Sequence, residues 1–235
     1  EFIPGPSGMR FLTVGSMKLK FPGHDKATEY YRELDLSNAT ATTRYTVDGV
    51  KYTRTTFASM TDGIIVMRIE AGKPGALNME MGYDCKLENS VSVRKNVLTA
   101  TVRNVEQEGI KAGLTAQCVM QVTADGKTVG RDNAVSVTGA TAATIYISCA
   151  TNFVNYHDVS GNALKKANAY LKAAAKMSYS DLRDRHTAAY KKQFDRVRLT
   201  LPEGKNAKLE TDKRVEMFAK DGKDQSLVAL MFQFG

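Results

Sequence analysis

The chain has no tryptophan, only three cysteines, three histidines and five prolines, and each shortage narrows what it can do. Sugar-binding modules grip their ligands by stacking them on exposed aromatic faces, for which the indole offers the largest area. Without it, that role falls to tyrosines such as Tyr30, Tyr31 and Tyr52, and aromatic residues on strands more often pack in the core or pair across strands. Cys85, Cys118 and Cys149 are too few and too far apart for a disulfide scaffold or a zinc site. One disulfide with a leftover thiol stays open for an oxidising compartment. Within apolar strands, Cys118 and Cys149 read first as small hydrophobes. His24, His157 and His186 show no paired spacing. His186, in a helical stretch near Asp184, reads as a packing or capping residue rather than a ligand. No run approaches the roughly 20 apolar residues that a membrane-crossing helix needs. Also missing are a Gly-rich phosphate loop, a nucleophile elbow, an internal repeat and any low-complexity segment, so neither cofactor nor metal is expected.

The charge is lopsided, with 33 Lys and Arg against 25 Asp and Glu and a formal net charge of +8. The basic residues are interleaved with acids, and the densest pairs are Lys165-Lys166 and Lys191-Lys192 on presumed helices. Neither pair has the aromatic platform of an RNA or DNA module. The excess therefore reads as a solvated basic surface and not as a nucleic-acid interface.

What the sequence does contain is a switch of period. Up to Phe153 short strands follow one another, the clearest being Ile64 to Ile69, Ala76 to Met81, Val97 to Val102, Leu114 to Val122, Val135 to Val137 and Thr144 to Ser148. Turn signals stand between them, as at Gly72-Lys73-Pro74-Gly75 and Asp125-Gly126-Lys127. So many short strands with short connections predict a mainly β fold, an antiparallel sandwich of two sheets. After Phe153 the pattern becomes helical: Ser160 is placed to cap a helix from about Asn162 to Lys176, Ser180 a second carrying Leu182, His186, Tyr190 and Phe194, and Thr211 a third running to about Lys220. Val197 to Leu201 reads as a returning strand. Asp224 is placed to cap a last helix with Leu227, Leu230, Met231 and Phe234 on one apolar face.

The most specific stretch runs from residue 30 to 68. Asp48-Gly49 supplies the positive φ angles of a type I′ turn. Around it Tyr45, Val47, Tyr52 and Phe57 provide the bulk of a half-buried sheet, while Arg44, Lys51, Thr53 and Arg54 are free to face water or a neighbouring layer.

Within and beyond this hairpin, Tyr31-Arg32-Glu33-Leu34-Asp35-Leu36, Ala39, Tyr45, Gly49-Val50, Tyr52, Arg54, Phe57-Ala58-Ser59, Asp62 and Arg68 form a pattern that resembles the N-terminal β-domain of glycoside hydrolase family 95. That family holds α-L-fucosidases and α-L-galactosidases. Thr151-Asn152-Phe153 with Asp158-Val159-Ser160-Gly161 resembles its exit from the β-domain. Arg185-His186, Tyr190, Phe194-Asp195-Arg196-Val197 and Leu199 resemble its linker helix and following strand. Ala189 and Ser16 depart from the pattern where an Asp is usual, at positions that carry no chemistry in the family.

The resemblance implies a super-sandwich β-domain over residues 1–153, a helical linker with a returning strand over 154–201, and the first helices of an (α/α)6 barrel over 202–235, with both ends of the chain cut from a longer protein. It implies inverting hydrolysis of terminal α-L-fucosyl or α-L-galactosyl residues of an oligosaccharide or glycan. The Glu acid and Asp base, assisted by Asn side chains, would lie in the barrel beyond Gly235. An inverting pair needs carboxyl groups about 6.5–9.5 Å apart. Glu33 and Asp35 share one strand face but read as salt-bridging residues, so no catalytic, cofactor-binding or metal-binding residue is assigned to this chain. Tyr156 and Asp158 are the residues best placed to touch a barrel packed on the β-domain. A secreted or periplasmic location in a bacterium is expected, and no membrane span. The competing reading is a carbohydrate-binding or structural β-sandwich without hydrolase activity.

Overall fold

A computed structural model describes residues 13–106, 109 and 111–235; the first 12 positions of the expected β-domain lie outside the described residues. Among the described residues twelve strands come first: β1 (Ser16–Lys20), β2 (Thr28–Asp35), β3 (Thr40–Val47), β4 (Val50–Ser59), β5 (Ile64–Ala71), β6 (Leu77–Asp84), β7 (Asn89–Arg94), β8 (Val97–Arg103), β9 (Thr115–Ala124), β10 (Lys127–Arg131), β11 (Ala134–Ala140) and β12 (Ala142–Thr151). Four α-helices follow, α1 (Ala163–Ala174), α2 (Tyr179–Phe194), α3 (Thr211–Asp221) and α4 (Gln225–Phe234). The strands form a small sheet, β1-β6-β11-β10, and a large one, β2-β3-β4-β5-β12-β9-β8-β7. The expected antiparallel sandwich is present.

The β3–β4 hairpin turns where its residues require, with φ of 48° at Asp48 and 76° at Gly49. Its register sets Tyr45 opposite Tyr52 and Val47 opposite Val50. One expectation needs correcting. Tyr52 and Phe57 are an odd number of residues apart on one strand, so they point to opposite faces, and both are buried. The large sheet is therefore covered on both sides. On one face Tyr52, Ile69, Leu98, Met120 and Ile145 meet Leu77, Met79, Met81, Val135 and Val137 of the small sheet. On the other, Phe57, Val66, Val119 and Tyr146 meet Ala167, Leu171 and Ala174 of α1 and Leu182 of α2. Complete burial of one large apolar side chain contributes roughly 1.5–3 kcal/mol. That is several times what a single exposed helix pair adds, so the helices are held chiefly by this second core.

The helix starts show which residue wins when several cap candidates compete. The α1 cap is Asn162, whose side chain accepts from Lys165 N at 2.9 Å. Ser160 has its own amide tied to Asp158 two residues back. Ser178 rather than Ser180 caps α2, because Asp181 three residues on completes a reciprocal capping box. Glu210 occupies the cap position of α3, with Thr211 already helical. Asp224 caps α4 as expected, accepting from Leu227 N at 3.0 Å. Val197 to Leu201 forms no strand. Instead of joining a ladder, Leu199 N donates to Gln233 Oε1 of α4 at 3.1 Å. Among the described residues no helix is long and apolar enough to cross a membrane.

Candidate functional site

Asp35, Leu36, Ala39, Phe57, Ser59, Asp62, Arg185, His186, Tyr190 and Phe194, all among the residues that carried the family resemblance, converge on the joint between α2 and the turns at one end of the large sheet. The β2–β3 turn, Leu36 to Ala39, is folded by Asp35, whose carboxylate accepts from the Ser37 amide at 2.8 Å, the Ser37 hydroxyl at 2.7 Å and Asn38 Nδ2 at 2.7 Å. The Ser37 hydroxyl leads these contacts in holding Asp35 below the usual carboxylate range, against a smaller opposing effect of burial. Ala39 takes a φ of 50°, a left-handed conformation in which a side chain larger than a methyl group is increasingly strained.

The turn's carbonyls are then read by α2. His186, buried, places Nε2 at 3.0 Å from Asn38 O and 3.2 Å from Ala39 O, so this nitrogen carries the proton and donates. One turn further along, Tyr190 OH donates to Leu36 O at 2.7 Å. The next turn, between β4 and β5, is gripped as well: Arg185 pairs with Asp62 at 3.0 Å, and Ser59 Oγ donates to Asp62 at 2.7 Å. Under the helix lie stacked rings, Phe57 on His186 with centroids 4.9 Å apart and Tyr190 on Phe194 at 4.9 Å. Helical spacing of residues 182, 186, 190 and 194 puts all of this on one face.

The exit from the last strand is a second cluster. Asn152 accepts from Thr115 N at 2.8 Å through Oδ1, and through Nδ2 donates to Gly113 O at 2.9 Å and Val159 O at 2.7 Å. Its own carbonyl accepts from Gly161 N at 2.9 Å. A Cβ on Gly161 would sit 2.7 Å from that oxygen, which explains a glycine there. Asp158 folds the loop tip by accepting from Ser160 N at 2.7 Å; Ser160 holds its carboxylate below the usual range. Tyr156 stands 85% exposed, its ring against His157. Asp158 is thus consumed locally, while Tyr156 faces outward, as do Phe153 and Val154.

Glu33 and Asp35 each have their own neighbouring partners. Glu33 faces Arg44 at 3.6 Å and accepts from Tyr31 OH at 2.9 Å, so its partner is Arg44 on the neighbouring strand and not Arg32. Of the tyrosines considered for sugar stacking, Tyr52 is enclosed, whereas Tyr30 and Tyr31 stay 61% and 45% exposed. Tyr52 is buried and stacked on Tyr45, Tyr30 stacks on Tyr45, and Arg44 lies over the ring of Tyr31 at 5.1 Å. Among the described residues no group of three or more His, Cys, Asp or Glu is placed to hold a metal ion.

A buried ion pair that the sequence did not announce joins α3 to α4. Arg214 donates to Asp224 through Nε at 2.8 Å and through Nη2 at 3.0 Å, and to Ser226 Oγ at 2.8 Å. The Arg214 guanidinium holds the Asp224 carboxyl far below the usual range. They are ten residues apart on different elements, so only the α3–α4 turn reveals the pair. Beside it, a cleft of about 590 Å³ opens between the end of α2 and α4, lined by Leu36, Phe194, Leu199, Leu230 and the acids Asp195 and Glu203.

Two family models match separate stretches of the chain. Residues 1–156 match the glycosyl hydrolase family 65 N-terminal domain, and residues 178–235 match the glycosyl hydrolase family 95 catalytic domain. Alpha-L-fucosidase 2 of Arabidopsis thaliana is 28% identical over 259 aligned positions, covering 96% of this chain and 30% of the relative. The chain thus spans under a third of that protein's length. A human-microbiome protein provisionally assigned as a kojibiose phosphorylase superposes with a TM-score of 0.54 at 15% identity, over 76% of this chain and 28% of the other. At that identity the likeness speaks for a shared fold only.

Proposed function

The chain belongs to the glycosyl hydrolase family 65 N-terminal domain family and runs on into family 95 catalytic-domain sequence, and from this premise we propose that it is the non-catalytic β-domain, linker and leading barrel helices of an inverting exo-glycosidase that removes terminal α-L-fucosyl, or α-L-galactosyl, residues from glycans. The observation that carries this reading is continuity: similarity to an α-L-fucosidase extends over 96% of the chain, through the sandwich, the helical linker and the last two helices alike. A free-standing binding module would have no reason to share the helical part.

The geometry supports a supporting role. Glu33, Asp35, Asp62, Asp158 and Asp224 are each held by a neighbouring cation or turn, as structural carboxylates are. Inverting hydrolysis needs one carboxylic acid to protonate the leaving oxygen and one carboxylate to activate water. On this proposal both come from the catalytic domain. The α2 joint and the Asn152 exit hold that domain's helices in place, where errors near 1 Å cost about a hundredfold in rate.

The test is the natural protein that contains these residues, incubated with aryl α-L-fucoside and aryl α-L-galactoside while the anomeric proton of the released sugar is followed by NMR. The reading expects hydrolysis of one of them with the β-anomer appearing first. Release of the α-anomer first, or hydrolysis of neither, overturns it.

A further inference from the structure

The three cysteines, distant in sequence, gather at one corner of the sandwich. β9 and β12 are antiparallel neighbours whose register places Cys118 directly opposite Cys149. Both point to the face of the large sheet that meets the small sheet, since they continue the alternation of Met120 and Val122 on β9 and of Ile145 and Ile147 on β12. Their Sγ atoms lie 2.8 Å apart. Directly opposed residues of an antiparallel pair have Cα atoms about 4.5 or 5.5 Å apart, and either spacing falls in the range a disulfide spans. No strand has to move for the bond to form. Cys118 is buried and Cys149 is exposed, so a reagent meets Cys149 first. Cys85 lies just past the end of β6, two residues beyond Tyr83, whose hydroxyl donates to Val14 O.

We infer that Cys118 and Cys149 are a modification site, a cross-strand dithiol that closes to a disulfide when it meets a low-molecular-weight disulfide, leaving Cys85 as the free thiol. The Cys149 thiol gives its proton to water, and the resulting thiolate attacks one sulfur of the reagent. The reagent's S–S bond breaks, and one half leaves as a thiolate that takes up a proton. The Cys118 thiol is then deprotonated in turn, and its sulfur attacks the Cys149 sulfur of the mixed disulfide, expelling the second half, again as a thiol. Two protein thiols lose two electrons and two protons; the reagent's single disulfide gains both. The order matches the acidities: the hydrogen bond from Cys118 lowers the Cys149 pKa, while donating that bond and being buried raise that of Cys118, and the thiolate is the attacking species.

The site also has a place in the fold. Cys149 is three residues before Asn152, and Cys118 is three residues after Thr115, which donates to Asn152. The bond therefore clasps the adjacent inner strands β9 and β12 at the end of the sheet where the chain leaves for the helices. It closes a loop across 31 residues, long enough for a clear gain on the chain-entropy account. The inference does not depend on the glycosidase reading.

The experiment uses the 235-residue chain incubated with oxidised glutathione, then acid-quenched and examined by thiol titration, intact mass and peptide mapping. The expected result is a fall from three free thiols to one, a mass loss of about 2 Da, a Cys118–Cys149 linked peptide, and a melting temperature higher by on the order of 10 °C that dithiothreitol restores. In Cys85→Ser two free thiols should fall to none with the same linked peptide, mass loss and rise in melting temperature, whereas Cys149→Ala should keep both of its thiols. Three thiols persisting in the folded chain, a linked peptide containing Cys85, or a bond between two chains would each overturn the assignment. Cys85→Ser and Cys149→Ala are checked first for a cooperative melt, and because one keeps the pair and the other removes its exposed member, either one that folds decides the matter.

Discussion

The imidazole of His186 lies on the ring of Phe57, centroids 4.9 Å apart and planes 20° apart, while its Nε2 reaches the carbonyl of Asn38. One side chain thus joins the apolar and the polar halves of the contact between α2 and the large sheet. Phe57 is 2% exposed, so Phe57→Ala should cost about 3–5 kcal/mol in urea unfolding. His186→Ala should cost about 1–3 kcal/mol, because it leaves the turn carbonyls without their donor. Since the residues touch, the double variant should lose less than the sum. Strict additivity would show that the stacking carries no coupling.

The exit from β12 rests on Asn152. Asn152→Ala removes the acceptor of the Thr115 amide and the donor to the Gly113 and Val159 carbonyls. Amide hydrogen exchange should quicken at Thr115 and Gly161 and stay unchanged at Val66, deep in the second core. Gly161→Ala should destabilise by about 1–3 kcal/mol by overpacking, because its new Cβ meets Asn152 O at 2.7 Å. Unchanged protection at Thr115 would show that Asn152 is a bystander.

Acid should loosen the α3–α4 pair by a route whose sign is fixed. The Asp224 carboxyl titrates below its unfolded value because Arg214 hydrogen-bonds its ionised form. Its contribution is therefore complete above about pH 4, the unfolded carboxylate range, and is lost as pH falls through the depressed folded value. In Arg214→Met that depression shrinks to what Ser226 and the Leu227 amide sustain, and the loss of helical signal at 222 nm should move to higher pH. An unmoved acid midpoint would detach Arg214 from the behaviour of Asp224.

Apolar side chains crowd the outward face of α4, with Met231 54%, Phe232 51% and Phe234 63% exposed. Patches of this kind are uncommon on monomers. Sedimentation should show concentration-dependent self-association of the chain, and Phe232→Glu should weaken it. A sedimentation coefficient independent of concentration, and equal to a monomer's, would contradict this.

How much of this was legible in the sequence depended on how local each signal was. The turn at Asp48-Gly49, the change of period at Phe153 and the Asp224 cap were readable because each is fixed by residues within a few positions. The role of His186 was readable only in kind, as packing and not ligation. Its partners Asn38 and Ala39 lie 148 and 147 residues away, and no periodicity reaches that far. Phe57 was misread as a companion of Tyr52 because a sheet buried on both faces shows apolar residues at both parities of the strand. Val197 to Leu201 looked like a strand because β-branched and apolar alternation survives where no partner strand is present to pair with it. The contact of Cys118 with Cys149 followed from the order of β9 and β12 in the sheet, which spacing alone does not reveal.

The central claim, that these residues organise a glycosidase without carrying its chemistry, meets its most direct test in the turnover of aryl α-L-fucoside and aryl α-L-galactoside by the 235-residue chain and, side by side, by the natural protein that contains it. The account predicts no release above the spontaneous rate from the chain and full turnover from the natural protein. Release by the chain that vanishes when Glu33, Asp35, Asp195 or Glu203 is changed to its amide would contradict it.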